Sequence, residues 1–423
     1  MIDWRKIAKK SALLFWINAK VKGFKLKRDL ARLSTEYQRK AITSNINYSE
    51  DKTVADFKSC LGLKYPNFTP TFSEPLRIFW VGTNRDQDES GFIQALQRLA
   101  RVTVFYNHKG LYGTWGGDAM SSSSNNIEET RKANDDSLLK QVMKAHAEGG
   151  IDVLVGQMWA HRISKEALGK VQSMGIPVIN ISMDDRLPAN WSDNEGLRLG
   201  SVGLVEGVDM VLTTSPETCL WYAVERCPAL FWPLASSPEV FAPSDDEIRD
   251  IDVLFIGNKY GARAEIIQYI KNHGVKVECY GRGWSNGYVN AEQMASLSKR
   301  ASIILGVGTV GYCPDVYTLK LRDFDALMTG ALYMTHRNPD LCRIFKEGEE
   351  MECYESPQEA VEKIRYYLDH QVERELIGRV GQKKARAQHN WDVRLDSTFR
   401  QLGLLQSNKS HASSAKKYSE LKK

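Results

Sequence analysis

The sequence predicts an α/β protein of two doubly wound domains, and three observations carry that expectation. Short apolar strands alternate with amphipathic helices along both halves of the 423 residues. Each half opens on an apolar strand that runs into glycine, 77–82 in the first and 251–256 followed by Gly257 in the second. Between them Pro233 and Pro243 bracket an apolar segment, and the acidic stretch 244–250 follows. Strand, helix, strand at this spacing calls for parallel sheet with right-handed crossovers.

Composition permits this and narrows the partners. A chain with 42% hydrophobic and 26% charged residues is ordinary for a globular protein with real cores. No run is long enough to span a bilayer, and the basic start lacks a signal-peptide core and cleavage site. The seven cysteines show no metal-ligand or redox spacing, as expected of free thiols in a reducing cytoplasm. The net charge of +5 is uneven: residues 1–40 hold twelve Lys or Arg against three acids, so the remainder is mildly acidic. A nucleic-acid groove is therefore not expected.

In order, residues 1–73 read as a basic amphipathic arm and linker. Phe15-Trp16-Ile17 among the cations suits an anionic membrane surface, a partner subunit or the protein's own body. Residues 74–235 form the first domain, with strands at 77–82, 102–106, 151–155, 178–182 and 210–213 and a mobile loop at 114–126. A linker, 236–250, leads to the second domain, 251–390. There helix 262–272, strand 275–280, helix 291–299, strand 302–305, a short central helix after Thr318 and strand 332–335 repeat the pattern. Ser356-Pro357-Gln358-Glu359 opens a further helix as a capping box. A helix at 391–406 and a polar, disordered tail at 407–423 finish the chain.

The short helix is where chemistry is expected. Leu321, Phe324, Leu327 and Met328 form its buried face, Thr318 can cap it, and Gly330 stops it. Lys320 and Arg322 lie in the first turn, where the helix dipole is positive and acids are normally favoured. An anion in front of them, such as a phosphate, satisfies both the cations and the free N–H groups. Asp325, one turn on, is then placed for ribose hydroxyls. A solvated Arg322–Asp325 surface pair is the plain alternative.

Lys320-Leu321-Arg322-Asp323-Phe324-Asp325, with Gly330-Ala331 behind it, is similar to the signature of CgeB-like glycosyltransferases of the "glycosyl transferases group 1" type. Phe255 to Arg263, Leu341 to Glu350, Tyr354-Glu355-Ser356 and His389 to Arg394 resemble other parts of that domain. The resemblance covers about 250–400 well and the first half loosely. It implies a GT-B fold, two Rossmann-like domains facing across a cleft, with the donor nucleotide sugar held by the second domain and the acceptor by the first. It also implies that helix 391–406 crosses back to the first domain.

Under that resemblance Gly257, Asn258 and Arg263 make a phosphate cradle with a cation, and Gly281 and Arg282 frame the base. Gly308, in a flexible glycine loop after strand 302–305, approaches sugar and diphosphate. Related retaining transferases often carry a Glu-x7-Glu motif here, two acids with seven residues between them. Asp325 fills the second place, but Tyr317 stands at the first. In the first domain Asp184 and Asp185 follow strand 178–182, where one could orient or deprotonate an acceptor hydroxyl. A metal-binding pair is the rival, and no metal or other cofactor is expected. Trp159, His161 and Trp191 are candidates for the acceptor side. There is no Gly-x-Ser-x-Gly elbow, P-loop or catalytic Cys–His spacing.

The function expected is a metal-independent glycosyltransferase, retaining by resemblance. It would move a sugar from a nucleotide diphosphate to a glycan, lipid-linked or protein acceptor, in the cytoplasm or peripherally on the inner membrane face. Catalysis would rest on Arg263, Lys320 and Arg322 with Asp184 or Asp185. The alternative is a catalytically silent nucleotide-sugar-binding or scaffold protein of the same fold. A sugar epimerase is a weaker third.

Overall fold

The computed structural model describes residues 12–66, 75–115, 127–194, 196–243, 248–311 and 313–406. The expectations for 1–11, most of the loop at 114–126 and the tail from 407 lie outside these residues.

Two parallel sheets form the body. The first comprises β1 (Leu76–Val81), β2 (Ala100–Val104), β3 (Val153–Gly156), β4 (Val178–Ser182), β5 (Met210–Thr213) and β6 (Ala229–Phe231), in the order β2-β1-β3-β4-β5-β6. The second comprises β7 (Ile251–Ile256), β8 (Glu278–Tyr280), β9 (Ala301–Gly306), β12 (Leu332–His336) and β13 (Glu352–Tyr354), in the order β8-β7-β9-β12-β13. Both orders reverse beside the first strand, and the crevice beyond the carboxyl ends of strands at such a point is where open α/β sheets bind ligands. Strand cores are near-continuous apolar runs because helices cover both faces: Phe79, Trp80 and Val81 are buried, as are Val253, Leu254 and Phe255.

The glycine loop expected after strand 302–305 is instead structured. Thr309–Val310 (β10) and Cys313–Tyr317 (β11) pair antiparallel, with Thr309 opposite Tyr317. This hairpin is where the arm lands. The helix Ala12–Thr43 buries Gly23 and packs Leu26 and Leu30 against Val310, Cys313 and Val316. Lys27 pairs with Asp315 at 2.6 Å. Further along, Tyr37 lies 5.3 Å from Trp221 and 5.1 Å from Trp191, and its hydroxyl donates to Glu225. The arm's second half is thus a strap across both domains, and truncation at residue 40 would remove core.

The last helix, Trp391–Gln401, returns to the first domain as the resemblance implied. Trp391 stands 5.0 Å from Phe92, Arg98 pairs with Asp392, and Trp232 donates to Thr398 at 2.8 Å. The helix Gln371–Gln388, absent from the sequence reading, packs behind the short site helix.

Candidate active site

The short helix is Leu321–Met328, and its start differs from the expected one. Its N-cap is Lys320, not Thr318; Thr318 is buried in the turn above. Asp323 reaches back, accepting from the Lys320 N–H at 2.7 Å and from the Tyr333 hydroxyl. The N-cap side chain is thereby released for other work. Lys320 Nζ crosses to the first domain and meets Asp184 Oδ1 at 2.7 Å.

Arg322 turns inward. Its Nε donates to the Ile256 carbonyl at 2.6 Å, its guanidinium lies 4.8 Å over Phe255, and Nη1 is buried without a partner. Gly257 is what admits it: a Cβ there would stand 2.3 Å from Arg322 Nη2, on a backbone with φ of 155°. Arg263 is 6% exposed and stacks 4.4 Å from Tyr260. Its one weak bond goes to the Asn258 carbonyl at 3.4 Å, and its Nε has no partner. Burial, then repulsion from Arg322, lowers its pKa to about 10. Two neighbouring guanidiniums that repel each other, with N–H groups left over, have the chemistry to accept an anion.

The loops after β7 and β8 brace that site. The Arg282 N–H donates to Asn258 Oδ1 at 3.1 Å, Trp284 Nε1 donates to the Gly257 carbonyl at 2.8 Å, and Gly281 lies too close to Gly257 for any side chain. Arg282 itself is exposed beside Tyr288, whose hydroxyl bonds Asp86 of the first domain. The first amide of helix Ala262–Asn272 is already taken by the Gly311 carbonyl, so the positive charge here is Arg263's rather than that helix end.

From the first domain, Asp184 follows β4 in a left-handed conformation, φ 61°, which a side-chain-bearing residue adopts at a cost. Burial alone would raise its pKa; attraction from Lys320 and Arg263 outweighs that and holds it below the usual carboxylate range. Asp184, Lys320, Arg322, Arg263, Gly257, Asn258, Gly281 and Arg282 therefore form one continuous set.

Other candidates fall elsewhere. Asp185 is 2% exposed and accepts from Ser182, Thr213 and Tyr222, with burial raising its pKa to about 6. It fixes the loop rather than facing the cleft. Trp191 is core, 5% exposed, donating to the Asp185 carbonyl and packed on Tyr37, Trp221 and Tyr222. Asp325 is 4% exposed and bonded by the Ser236 hydroxyl at 2.7 Å, so it pins the linker; burial pushes its pKa well above normal. A ribose would have to displace Ser236 to reach it. Trp159 and His161 gather around Trp115, at 5.7 and 5.6 Å, and His161 Nδ1 bonds the Leu199 carbonyl.

Several neighbours escaped the sequence reading. Asn338 Nδ2, Thr309 Oγ1 and Thr335 Oγ1 are buried without partners; Asn338 Nδ2 stands 3.9 Å from where a Gly308 Cβ would be, and Thr335 Oγ1 lies against Gly306. Arg186, two residues past Asp184, binds Glu217, the Tyr317 carbonyl and Asp340, and covers the Tyr317 ring at 4.5 Å. The Asn338-Pro339 dipeptide was a readable helix-start signal; Arg186 carried none.

Residues 263–400 match the family model described as "Glycosyl transferase-like". No curated protein sequence matches the chain. Among solved structures, sucrose-phosphate synthase (tll1590) from Thermosynechococcus elongatus is similar with a TM-score of 0.55 at 12% identity, over 78% of this chain and 99% of that one. Anabaena Alr3699/HepE, in complex with UDP and glucose, gives 0.53 at 12% identity, over 78% and 100%. The same Anabaena protein with UDP-glucose gives 0.53 at 11%, again over 78% and 100%. At such identities the likeness speaks to architecture. This chain has the GT-B fold, and residues 263–400 within it form a glycosyl transferase-like region.

Proposed function

We propose that this protein is a glycosyltransferase that moves a sugar from a nucleotide diphosphate to a hydroxyl of a glycan, lipid-linked or protein acceptor. The observation that carries this reading is the pair of buried Arg263 and half-buried Arg322, each with a buried N–H unpartnered, beside Lys320. A pyrophosphate satisfies those donors and cancels the mutual repulsion of the pair. Three cations supply the charge that a divalent ion would otherwise bring, which supports transfer without a metal. Electrostatic stabilisation of the departing diphosphate is worth about 3 kcal/mol per well-placed donor.

Asp184 is the carboxylate that reaches the donor side, and as a depressed acid paired with Lys320 it is a weak base. It suits holding an acceptor hydroxyl. The departing phosphate then takes the proton, consistent with the retaining course implied by the CgeB-like resemblance. Because the Anabaena protein was solved with UDP and UDP-glucose, UDP is the first base to try.

Calorimetry with UDP, GDP and dTDP and their sugars, with and without EDTA, tests this. We expect one nucleotide to bind at micromolar or better with no change on chelation, and slow donor hydrolysis without acceptor. No nucleotide binding below about millimolar sinks the reading. Binding with no hydrolysis or transfer favours the silent protein instead, for which Tyr317, its ring covered by Arg186, is the supporting feature.

The same reading puts the protein on an anionic membrane face in the cytoplasm. Among the described residues no helix is long and apolar enough to cross a membrane. The strap leaves Val21 61% and Phe24 70% exposed beside Lys25, while its other face is occupied. Apolar side chains among cations suit an anionic interface. V21E/F24E is expected to lose sedimentation with phosphatidylserine vesicles and to keep nucleotide affinity. If the unaltered protein fails to sediment, the membrane assignment goes.

A further inference from the structure

Cysteine spacing in the sequence suggests isolated thiols, yet the fold brings two together. Cys342 ends the helix Pro339–Cys342, Cys353 lies in β13, and their Sγ atoms are 3.9 Å apart. Cys353 is buried, and Cys342 is partly exposed. The Glu347 carboxylate lies within 4.8 Å of both sulfurs. Arg337 holds that carboxylate through both oxygens, at 2.5 and 2.6 Å.

Two chemistries fit a thiol pair at this distance. In a tetrahedral zinc site with Zn–S bonds of about 2.3 Å, the sulfurs would stand roughly 3.8 Å apart, so spacing alone does not separate metal from disulfide. Glu347 does. Both of its oxygens are engaged by a guanidinium, so a third ligand would have to break a bidentate ion pair and place a cation beside Arg337. Toward the Cys342 sulfur the arginine favours a thiolate and in part offsets the opposing Glu347 carboxylate.

We propose that Cys342 and Cys353 form a reversible disulfide with a small peroxide as oxidant. The Cys342 thiolate attacks one peroxide oxygen and releases hydroxide, leaving a sulfenic acid. The Cys353 sulfur then attacks Cys342 Sγ, and the hydroxyl departs with the Cys353 proton as water. Two thiols lose two electrons and two protons, and hydrogen peroxide becomes two waters. An external dithiol reverses the exchange. The hydrogen bond between the sulfurs, opposed by burial and by the Glu347 carboxylate and aided by Arg337, brings the Cys342 pKa to about 7, while Cys353 is raised. The partly exposed sulfur is thus the nucleophile and the buried one resolves it.

The bond would staple the helix bearing Asp340, which meets Arg186 of the first domain, to the strand bearing Tyr354, whose hydroxyl bonds the Gly306 carbonyl. Oxidation state is therefore written onto the rim of the cleft.

The test uses the full-length reduced protein, treated with hydrogen peroxide and digested without reductant. A Cys342–Cys353 cross-linked peptide is expected, cleaved by dithiothreitol, together with loss of two titratable thiols ahead of the exposed Cys60. C342A should abolish the cross-link and C353S should leave Cys342 trapped as sulfenic acid, detectable with dimedone even if the buried change lowers stability. Oxidation confined to Cys60 overturns the proposal. So does stoichiometric zinc in the unoxidised protein that C342A removes.

Discussion

Arg322→Ala is expected to weaken nucleotide-diphosphate binding at least a hundredfold, about 3 kcal/mol, while leaving the thermal midpoint within a few degrees of the parent. The two halves of that result come from one geometry. Arg322 gives up a hydrogen bond to the Ile256 carbonyl and its stacking on Phe255, together worth about 2–3 kcal/mol to the fold. Removing it also frees Arg263 from the repulsion that, after burial, lowers the Arg263 pKa to about 10. Burial, the larger cause of that shift, stays in the variant, so the relief offsets part of the loss and the net change is a small fraction of the stability of a chain this long. Binding has no such compensation, since the partnerless Nη1 is the group that an anion would meet. Inorganic pyrophosphate should raise the midpoint of the parent by linkage and should not raise that of the variant. Calorimetry and a melting curve with and without pyrophosphate read both quantities. A variant that binds nucleotide normally would show that the pair serves the fold and nothing else.

The features proposed to hold the donor were legible because they break a local rule. Two cations at a helix start ask for an anion, and the structure brings Arg322 against Gly257 and Lys320 against Asp184, with Arg263 beside them. Strands β4, β5 and β7 were legible to the residue because buried parallel strands are unbroken apolar runs. The helix Gln371–Gln388 was not, because its inner face buries Gly378, Gly381 and Ala385 with only Ile377 among its larger apolar residues, while Val372, Leu376 and Val380 are exposed. A Cβ on Gly378 would fall 2.3 Å from the Gly330 carbonyl oxygen, and one on Gly381 would fall 2.1 Å from that of Glu350. Close backbone approach leaves no hydrophobic period to read. Asp184 and Asp185 looked equivalent in sequence. The left-handed turn at Asp184 separates them, sending one carboxylate to Lys320 and the other into a ring of hydroxyls. Trp191 misled for a similar reason: a tryptophan near a cleft loop is as useful to a core, and here Tyr37 from the arm completes that core.

Asp184 and Arg186 both cross from the first domain to the second, so the tripeptide after β4 works as a double latch. The outer contact, Asp184 to Lys320, is part-exposed and exchangeable, as the substrate role proposed for Asp184 requires. The inner contact is permanent in character: Arg186 and Asp340 have side chains 6% and 3% exposed, at 2.6 Å.

Arg186→Met is accordingly expected to destabilise the protein by about 3–5 kcal/mol at pH 7, because Asp340 is left buried and unpaired. The pH dependence identifies the cause. Burial already raises the Asp340 pKa against the pull of Arg186, and removing the arginine raises it further. A carboxyl whose folded pKa lies above its unfolded value penalises folding as pH climbs through that interval, since the unfolded chain releases the proton first. The deficit of the variant should therefore shrink as pH falls from 7 towards 4. Asp340→Asn added to Arg186→Met should recover part of the loss at pH 7 and flatten the profile. Since this latch joins the two sheets, calorimetry should also show the single transition broadening or splitting as the domains unfold apart. A loss that ignores both pH and Asp340→Asn would mean that Arg186 acts through its packing on Tyr317 and its pair with Glu217, and that the domains are held together by the strap and the returning helix instead.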